Sequence, residues 1–325
     1  MNVTLRFPDG SSKEFPQGVT PLEVAQGISK KLAKAALAAK LDDKVVDMAT
    51  PINRDCEISI LTFDDEEGKH VFWHSSAHIM SDAVQHLFPG VKFGIGPAIR
   101  EGFYYDFDFS SPISSDDFAA IEKEMKKIVR ERLKLERFTL PTEEALALMK
   151  EKKEDYKVAL IEDLPEDAVI SFYRQGDFVD LCAGPHLANT GYVKAIKLTS
   201  LAGAYWRGNE KNKMLTRIYG TSFPDKEQLA AYLERMEEAK KRDHRKLGRE
   251  LDLFDIYEEG PGFPFFLPKG MVLRNILEDF WREEHRKNGY QEIKTPIILN
   301  QDLWHRSGHW DHYKDNMFPA MEVEG

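Results

Sequence analysis

Apolar and polar positions alternate at the start of the chain. Val3, Leu5 and Phe7 point one way, the turn residues Pro8-Asp9-Gly10-Ser11 follow, and a second strand is predicted to about Phe15. Thr20 with Pro21 and Glu23 makes a helix start, predicting a helix to about Lys34. Extended stretches follow around Leu37 to Leu41 and from Cys56 to Leu61. Strand, strand, helix, strands over residues 1–63 is a ubiquitin-like β-grasp pattern. It holds no plausible catalytic cluster, so a binding or docking role is expected of it.

"DDEEGK" at 64–69 reads as a charged hinge. Beyond it, Phe72, Ile79, Ala83 and Leu87 repeat with helical spacing until Pro89-Gly90. Residues 67–224 then mix helices with strands, including an amphipathic helix from Asp116 to about Arg132. Pro224-Asp225 open a long helix with Leu229, Tyr232, Leu233 and Met236 on one face, a connector over 225–246. From about 247 to 325 a further section begins. Leu273, Ile276, Leu277, Phe280 and Trp281 mark an amphipathic helix stopped by Asn288-Gly289. "YQEIKTPIIL" is predicted as a strand, at an edge or interface because Pro296 lacks the ladder donor, and "MEVEG" reads as the middle of another.

Length alone suggests two or three domains, and 42% hydrophobic with 31% charged residues describes a globular protein with ample core. No apolar run is long enough for a membrane span and no secretory h-region is seen, so no membrane association and a cytoplasmic location are expected. Cys56 and Cys182 are too few and too distant for a disulfide framework, and Cys56 falls on a core-like strand. The net charge of −10 argues against nucleic-acid binding, yet "KKRDHRKLGR" at 240–249 concentrates cations. That run is either a solvated helix face or a phosphate-contacting stripe.

The chemistry concentrates in two short elements. His74 and His78 are one helical turn apart and can share a pocket, and Cys182 and His186 flank Gly184-Pro185 on a tight loop. Ser75 stands where a metalloprotease would need Glu. Histidine can hold and deprotonate a water near neutral pH, while Cys, Lys or backbone N–H groups can steady an oxyanion. Two His, a Cys and a His would equally serve zinc. Spacing leaves both readings open.

HxxxH followed by Cys-x-x-x-His resembles the editing domains of threonyl- and alanyl-tRNA synthetases. "IGPAIREGFYYDF", "DYKVALIEDLP", "DLCAGPH" and "GAYWRGNEKNKMLTRIYGTSF", in that order, resemble the threonyl family. Residues 1–63 are similar to its TGS domain, and 247–325 to the start of its class II catalytic domain, with Pro296 at the motif 1 proline. The resemblance covers essentially the whole chain. It implies an α+β multidomain fold: β-grasp TGS domain, α+β editing domain at 67–224, linker helix, and part of an antiparallel class II sheet.

The resemblance also implies function. The full-length family enzyme joins threonine to tRNA(Thr) with ATP and Mg, works as a homodimer, and carries a zinc whose ligands would lie beyond residue 325. Motifs 2 and 3 are not in residues 1–325, so aminoacylation is not expected from this polypeptide alone. The matched middle domain hydrolyses Ser-tRNA(Thr), with threonine and serine met as aminoacyl esters. Carried over position by position, His74, Lys157, Cys182 and His186 are the catalytic set, and His78, Tyr105 and Asp180 bind substrate. His74 is expected to activate water, Lys157 to orient the ester, Asp180 to take the seryl amine, Cys182 to exclude the threonine methyl, and Tyr105 to meet the terminal adenosine. No metal is expected at this site. The alternatives are a zinc-dependent deacylase of the alanyl-editing type and an inactive RNA-binding paralogue.

Overall fold

The computed structural model describes residues 2–165 and 168–317. Two compact units are present, residues 1–237 and 238–325.

The first unit begins with β1 (Asn2–Arg6) and β2 (Ser12–Pro16), followed by α1 (Pro21–Ile28) and α2 (Lys30–Ala35). Thr20 and Glu23 form a reciprocal capping box on α1, as the sequence signals. The predicted single helix to Lys34 is broken at Ser29. That residue adopts extended backbone, and its side chain accepts from Leu32 N–H to cap α2. β3 (Ala38–Leu41), β4 (Lys44–Val46) and β5 (Cys56–Leu61) complete a five-stranded sheet in the order β2-β1-β5-β3-β4. β1 runs parallel to β5 with Leu5 opposite Cys56, and the other pairings are antiparallel. Val3, Leu5, Val24, Ile52 and Ile58 fill its core.

The expected hinge at 64–69 is a helix start instead. α3 runs Glu66–Leu87, with Asp65 at its N-cap position and Glu66 and Glu67 in its first turn, where acidic side chains meet the positive end of the helix dipole. Asp65 spends its carboxylate on the backbone N–H and hydroxyl of Thr62, tying the helix to the end of β5. Gly68 is obligatory here, because a Cβ would lie 1.9 Å from the Thr62 carbonyl oxygen. Leu37 and Leu61 of the β-grasp sheet share one hydrophobic core with Phe72 and Trp73 of α3.

After α3 come β6 (Lys92–Phe93), β7 (Ala98–Ile99), β8 (Gly102–Asp108), α4 (Phe118–Glu131), β9 (Leu135–Leu140), α5 (Thr142–Glu151), α6 (Asp155–Glu162), β10 (Ile170–Gln175) and β11 (Phe178–Leu181). β12 (Ala195–Tyr205) and β13 (Met214–Phe223) form a long hairpin. One sheet has the order β12-β13-β8-β6, with β7 also on β8; the other is β11-β10-β9. Phe103, Tyr105 and Phe107 of β8 pack in the same core as Ile79, Met80 and Ala83 of α3. A smaller core of Ala145, Met149, Ile161, Ile170 and Phe172 lies between α5, α6 and the three-stranded sheet. α3 is thus covered on most of its circumference, which explains how two histidines come to be held inside it.

α7 (Lys226–Lys241) follows, and α8 (His244–Glu250), β14 (Phe254–Asp255), β15 (Phe265–Phe266) and α9 (Pro268–Lys287) belong to the second unit. In the basic run, Lys241 pairs with Glu238, Arg245 with Asp243 and Lys246 with Glu250, as on a solvated helix face. The predicted stripe on α9 is uncovered, with Phe280 64% exposed. The strand expected at 290–299 does not form. Ile293, Ile297 and Ile298 are exposed, and no described strand lies alongside to satisfy a ladder. The expected strand at "MEVEG" lies outside the described residues.

Candidate hydrolytic site

α3 delivers His74 and His78 one turn apart on a single face, and the loop after β11 brings Cys182 and His186 against them. Ring centroids of His74 and His186 are 4.3 Å apart, those of His78 and His186 4.2 Å, and those of His74 and His78 5.4 Å. Cys182 Sγ is 3.2 Å from His186 Nε2 and 3.4 Å from His74 Nε2, and it accepts from the Gly184 N–H. His78 and His186 are buried, whereas His74 and Cys182 are half-buried and form the solvent-facing lip. The two elements paired as candidates in the sequence therefore make one cluster.

Hydrogen bonds fix the ring of His186. The Ser75 hydroxyl donates its one proton to the Val71 carbonyl and accepts from Leu187 N–H. Ser75 Oγ also lies 3.0 Å from His186 Nδ1, so the hydroxyl holds that edge of the ring while Nε2 faces Cys182. All three imidazoles are held neutral. Burial pushes His74 down to about 3, with His78 and His70 adding repulsion. Burial likewise takes His78 to about 4 against the pull of Asp180, and puts His186 well below the ordinary value. The Cys182 thiol is raised to about 12 by burial and by Asp180.

Beneath the cluster lies a buried ion pair. Lys157 of α6 reaches Asp180 Oδ1 at 2.6 Å and donates to the Tyr105 hydroxyl at 3.0 Å. Tyr105 in turn donates to Asp180 Oδ2 at 2.6 Å, and His78 Nε2 stands 3.6 Å from the same oxygen. Burial works to raise the Asp180 carboxyl, but Lys157, His78 and the two hydrogen bonds together hold it below the ordinary value. All seven residues expected from sequence are thus assembled in one place. Tyr105, expected at the adenosine, has a fully buried ring, and its hydroxyl links Lys157 to Asp180.

The sequence reading passed over Ser75, Tyr173, Asp47 and Glu154. In the sequence Ser75 stands out only for not being Glu, although a serine between two histidines of a buried helix is a candidate to orient one of them. Glu154, which accepts from Phe93 N–H, is raised to about 7 by burial.

The donor set also suits a metal. His74, His78, Cys182 and His186 offer ligand atoms all within 4.8 Å of one another, and neutral imidazoles are what a metal requires. These four residues could hold one.

Two family models match the chain: the TGS domain over residues 1–62, and the "Threonyl and Alanyl tRNA synthetase second additional domain" over residues 170–219. The second covers Cys182 and His186 but not the histidines of α3. Across its length the chain is 65% identical to the threonine–tRNA ligase of Acetivibrio thermocellus over 316 residues, 97% of this chain and 50% of that protein. The chain belongs to the threonine–tRNA ligase family. Family members from Caldanaerobacter subterraneus and Carboxydothermus hydrogenoformans are 64% and 61% identical over 325 and 316 residues. These alignments cover 100% and 97% of the chain and 50% of each relative, so the chain spans about half the length of the curated family members it matches. Among the described residues no helix is long and apolar enough to cross a membrane.

The neutral imidazoles make a prediction at once. Ring nitrogen shifts of His74, His78 and His186 should remain those of neutral rings from pH 8 down to about 5, where an exposed histidine has already ionised. A depressed folded value means the unfolded chain binds protons first, so these residues favour the fold above pH ~6.5 and cost stability as pH falls below it. Glu154 at about 7, and Asp82 of α3, which accepts from Gln175 and is raised to about 6 by burial, act in the opposite sense below those values. Imidazolium signals with a midpoint near 6.5 would show the cluster to be wet and the assignment of proton positions to be wrong.

Proposed function

We propose that this segment carries the proofreading site of a threonine–tRNA ligase, hydrolysing the ester of serine misattached to tRNA(Thr) and sparing threonine. The observation that supports it most is the lip of His74 and Cys182 above a buried Lys157–Asp180 pair. A need for such a site follows from size discrimination. An aminoacylation pocket built for threonine cannot firmly exclude serine, because one missing methyl is worth only roughly 1–3 kcal/mol.

The chemistry is an acyl transfer to water. His74 accepts a hydrogen bond from the water at its neutral imidazole. A base this weak does not ionise water beforehand, but takes the proton as the oxygen–carbon bond forms. Lys157 supplies the positive charge that steadies the tetrahedral oxyanion. Asp180 holds Lys157 in place and attracts the seryl ammonium. As the ester bond to the terminal ribose breaks, the proton passes to the ribose oxygen, giving serine and free tRNA. Cys182, neutral and at the lip, occupies the space a threonine methyl would need. His186 and His78 orient their neighbours, and Tyr105 fixes Lys157 against Asp180 with the terminal adenosine nearby.

Charge balance favours a metal-free pocket. Lys157 and Asp180 cancel, and the thiol and three imidazoles are neutral. A divalent ion bound by a thiolate would leave one uncompensated positive charge in a buried site. The second reading, a zinc-dependent deacylase, draws on the clustering of the four donors. Bound there, zinc would polarise the ester carbonyl and acidify a water.

In the whole ligase we propose ATP, Mg and a zinc held elsewhere for threonine attachment, tRNA(Thr) as partner, and a homodimer. The uncovered stripe on α9 is a surface suited to such packing. The test is release of amino acid from seryl- and threonyl-tRNA side by side, with and without chelator. Serine release at least about tenfold faster than threonine release, unchanged by chelator, is expected. Equal rates, or no release by folded protein, would remove the proofreading reading, and loss of activity on chelation would favour zinc.

A further inference from the structure

We propose that Asp47, which lies just after β4 in the β-grasp domain and not in the matched editing module, is a positioning residue of the hydrolytic site. It holds the Cys182–His186 loop in register, so the pocket is complete only with the β-grasp unit docked; the proposal rests on the hydrolytic reading above.

Asp47 follows β4 directly, and its two carboxylate oxygens have separate tasks. One accepts the backbone N–H of His186 at 2.7 Å, and the other accepts the Tyr173 hydroxyl at 2.7 Å. Tyr173 is itself buried, and its ring meets the His186 imidazole edge-on with centroids 4.4 Å apart. The loop backbone lies directly on the phenol: a Cβ on Gly184 would be 2.0 Å from the Tyr173 oxygen. One carboxylate therefore fixes the main chain of a site histidine and the side chain that backs its ring.

The next residue is pinned from the other side, with Leu187 N–H donating to Ser75 of α3. Successive N–H groups of the loop thus point to opposite anchors, one on the helix and one just after β4 of the β-grasp domain. Cys182 is tied at the start of the loop by its own backbone bonds to Ser171, so what Asp47 adds is the hold on His186; without it the His186 N–H and Tyr173 hydroxyl would lose their acceptor. Asp47 is placed firmly enough to act this way. Its neighbour Met48 is buried, and the sheet shares its core with α3 through Leu37 and Leu61.

The test compares Asp47→Ala with Asp47→Asn in the whole polypeptide, with Cys56→Ser in the background so that Cys182 is the one thiol. Asparagine can still accept from His186 N–H while donating to the Tyr173 hydroxyl, so it preserves the geometry without the charge. For Asp47→Ala, kcat for serine release is expected to fall about 10- to 100-fold, the range for a displaced catalytic group, with KM within about threefold. Asp47→Asn should recover most of that rate. Reaction of Cys182 with an aromatic disulfide reagent should accelerate in Asp47→Ala and not in Asp47→Asn, and this readout stands even if the substrate assignment fails. Unchanged kcat and unchanged thiol reactivity in folded Asp47→Ala would overturn the proposal, as would Asp47→Asn proving as impaired as Asp47→Ala. If Asp47→Ala does not fold, Tyr173→Phe removes one of the two bonds alone. A several-fold loss of kcat with faster thiol reaction is then expected, and no change in either overturns the proposal.

Discussion

Lys157→Met is expected to abolish serine release and to lower the melting temperature of the first unit by about 6 to 20 °C. The reasoning rests on what is left behind. Lys157 and Asp180 are each only about 3–4% exposed, 2.6 Å apart. Removing the ammonium leaves Asp180 a buried carboxylate with only the Tyr105 hydroxyl and a neutral imidazole for company. Breaking one side of such a pair costs about 3–5 kcal/mol, and each kcal/mol is worth about 2–4 °C in a unit of this size. The double variant Lys157→Met with Asp180→Leu should regain most of the lost stability, because a buried pair replaced by apolar groups of similar volume is close to neutral. It should regain no activity. Calorimetry on the three proteins, read with serine release, separates the two contributions. A single variant that melts like the parent would mean that water reaches the pair and that the site is not the dry pocket described.

Gly184→Ala should lower kcat by up to about 100-fold while leaving the fold in place. The methyl group would sit 2.0 Å from the Tyr173 oxygen and 2.6 Å from the ring carbon bearing it, and the residue has φ of +75°, where a side chain is strained. Either the phenol retreats, losing its bond to Asp47, or the loop lifts and carries Cys182 away from His74 and His186. A displacement of about 1 Å at a catalytic group is enough for a loss of that size. The strain itself should cost about 1–3 kcal/mol, so the variant remains foldable. Serine release and thermal unfolding decide the matter. Full activity would show that the loop tolerates movement and that the register of Cys182 is unimportant.

The legibility of this site in the sequence was uneven for physical reasons. The relation of His74 to His78 is local, set by helical pitch, and the loop carrying Cys182 and His186 is announced by Gly184-Pro185. Their approach to each other is not local: residue chemistry suggests one shared pocket without choosing its use, and resemblance to a family is what adds Lys157 and Tyr105. Asp47 gives no signal at all, since an aspartate after a short strand reads as a turn residue and its partners lie far along the chain. At 64–69 the charge density suggested a hinge, when Asp65 followed by Glu66 and Glu67 is equally a helix start. At 290–299 apolar β-branched residues predicted a strand, but a strand is a property of pairs, and pattern alone cannot supply the partner.

The contact of Gly68 with Thr62 has a consequence for how nucleic acid would be met. With the helix start pressed on the end of β5, there is no slack chain between the β-grasp sheet and the proposed hydrolytic pocket. Two recognition surfaces joined by a flexible tether gain avidity only as far as the tether lets them find their targets together. Two surfaces fused at fixed distance have already lost that freedom during folding, so an RNA that touches the β-grasp face would bring its end to the pocket with little further loss of freedom. Lengthening the chain between Thr62 and Gly68 would therefore trade a ruler for a leash.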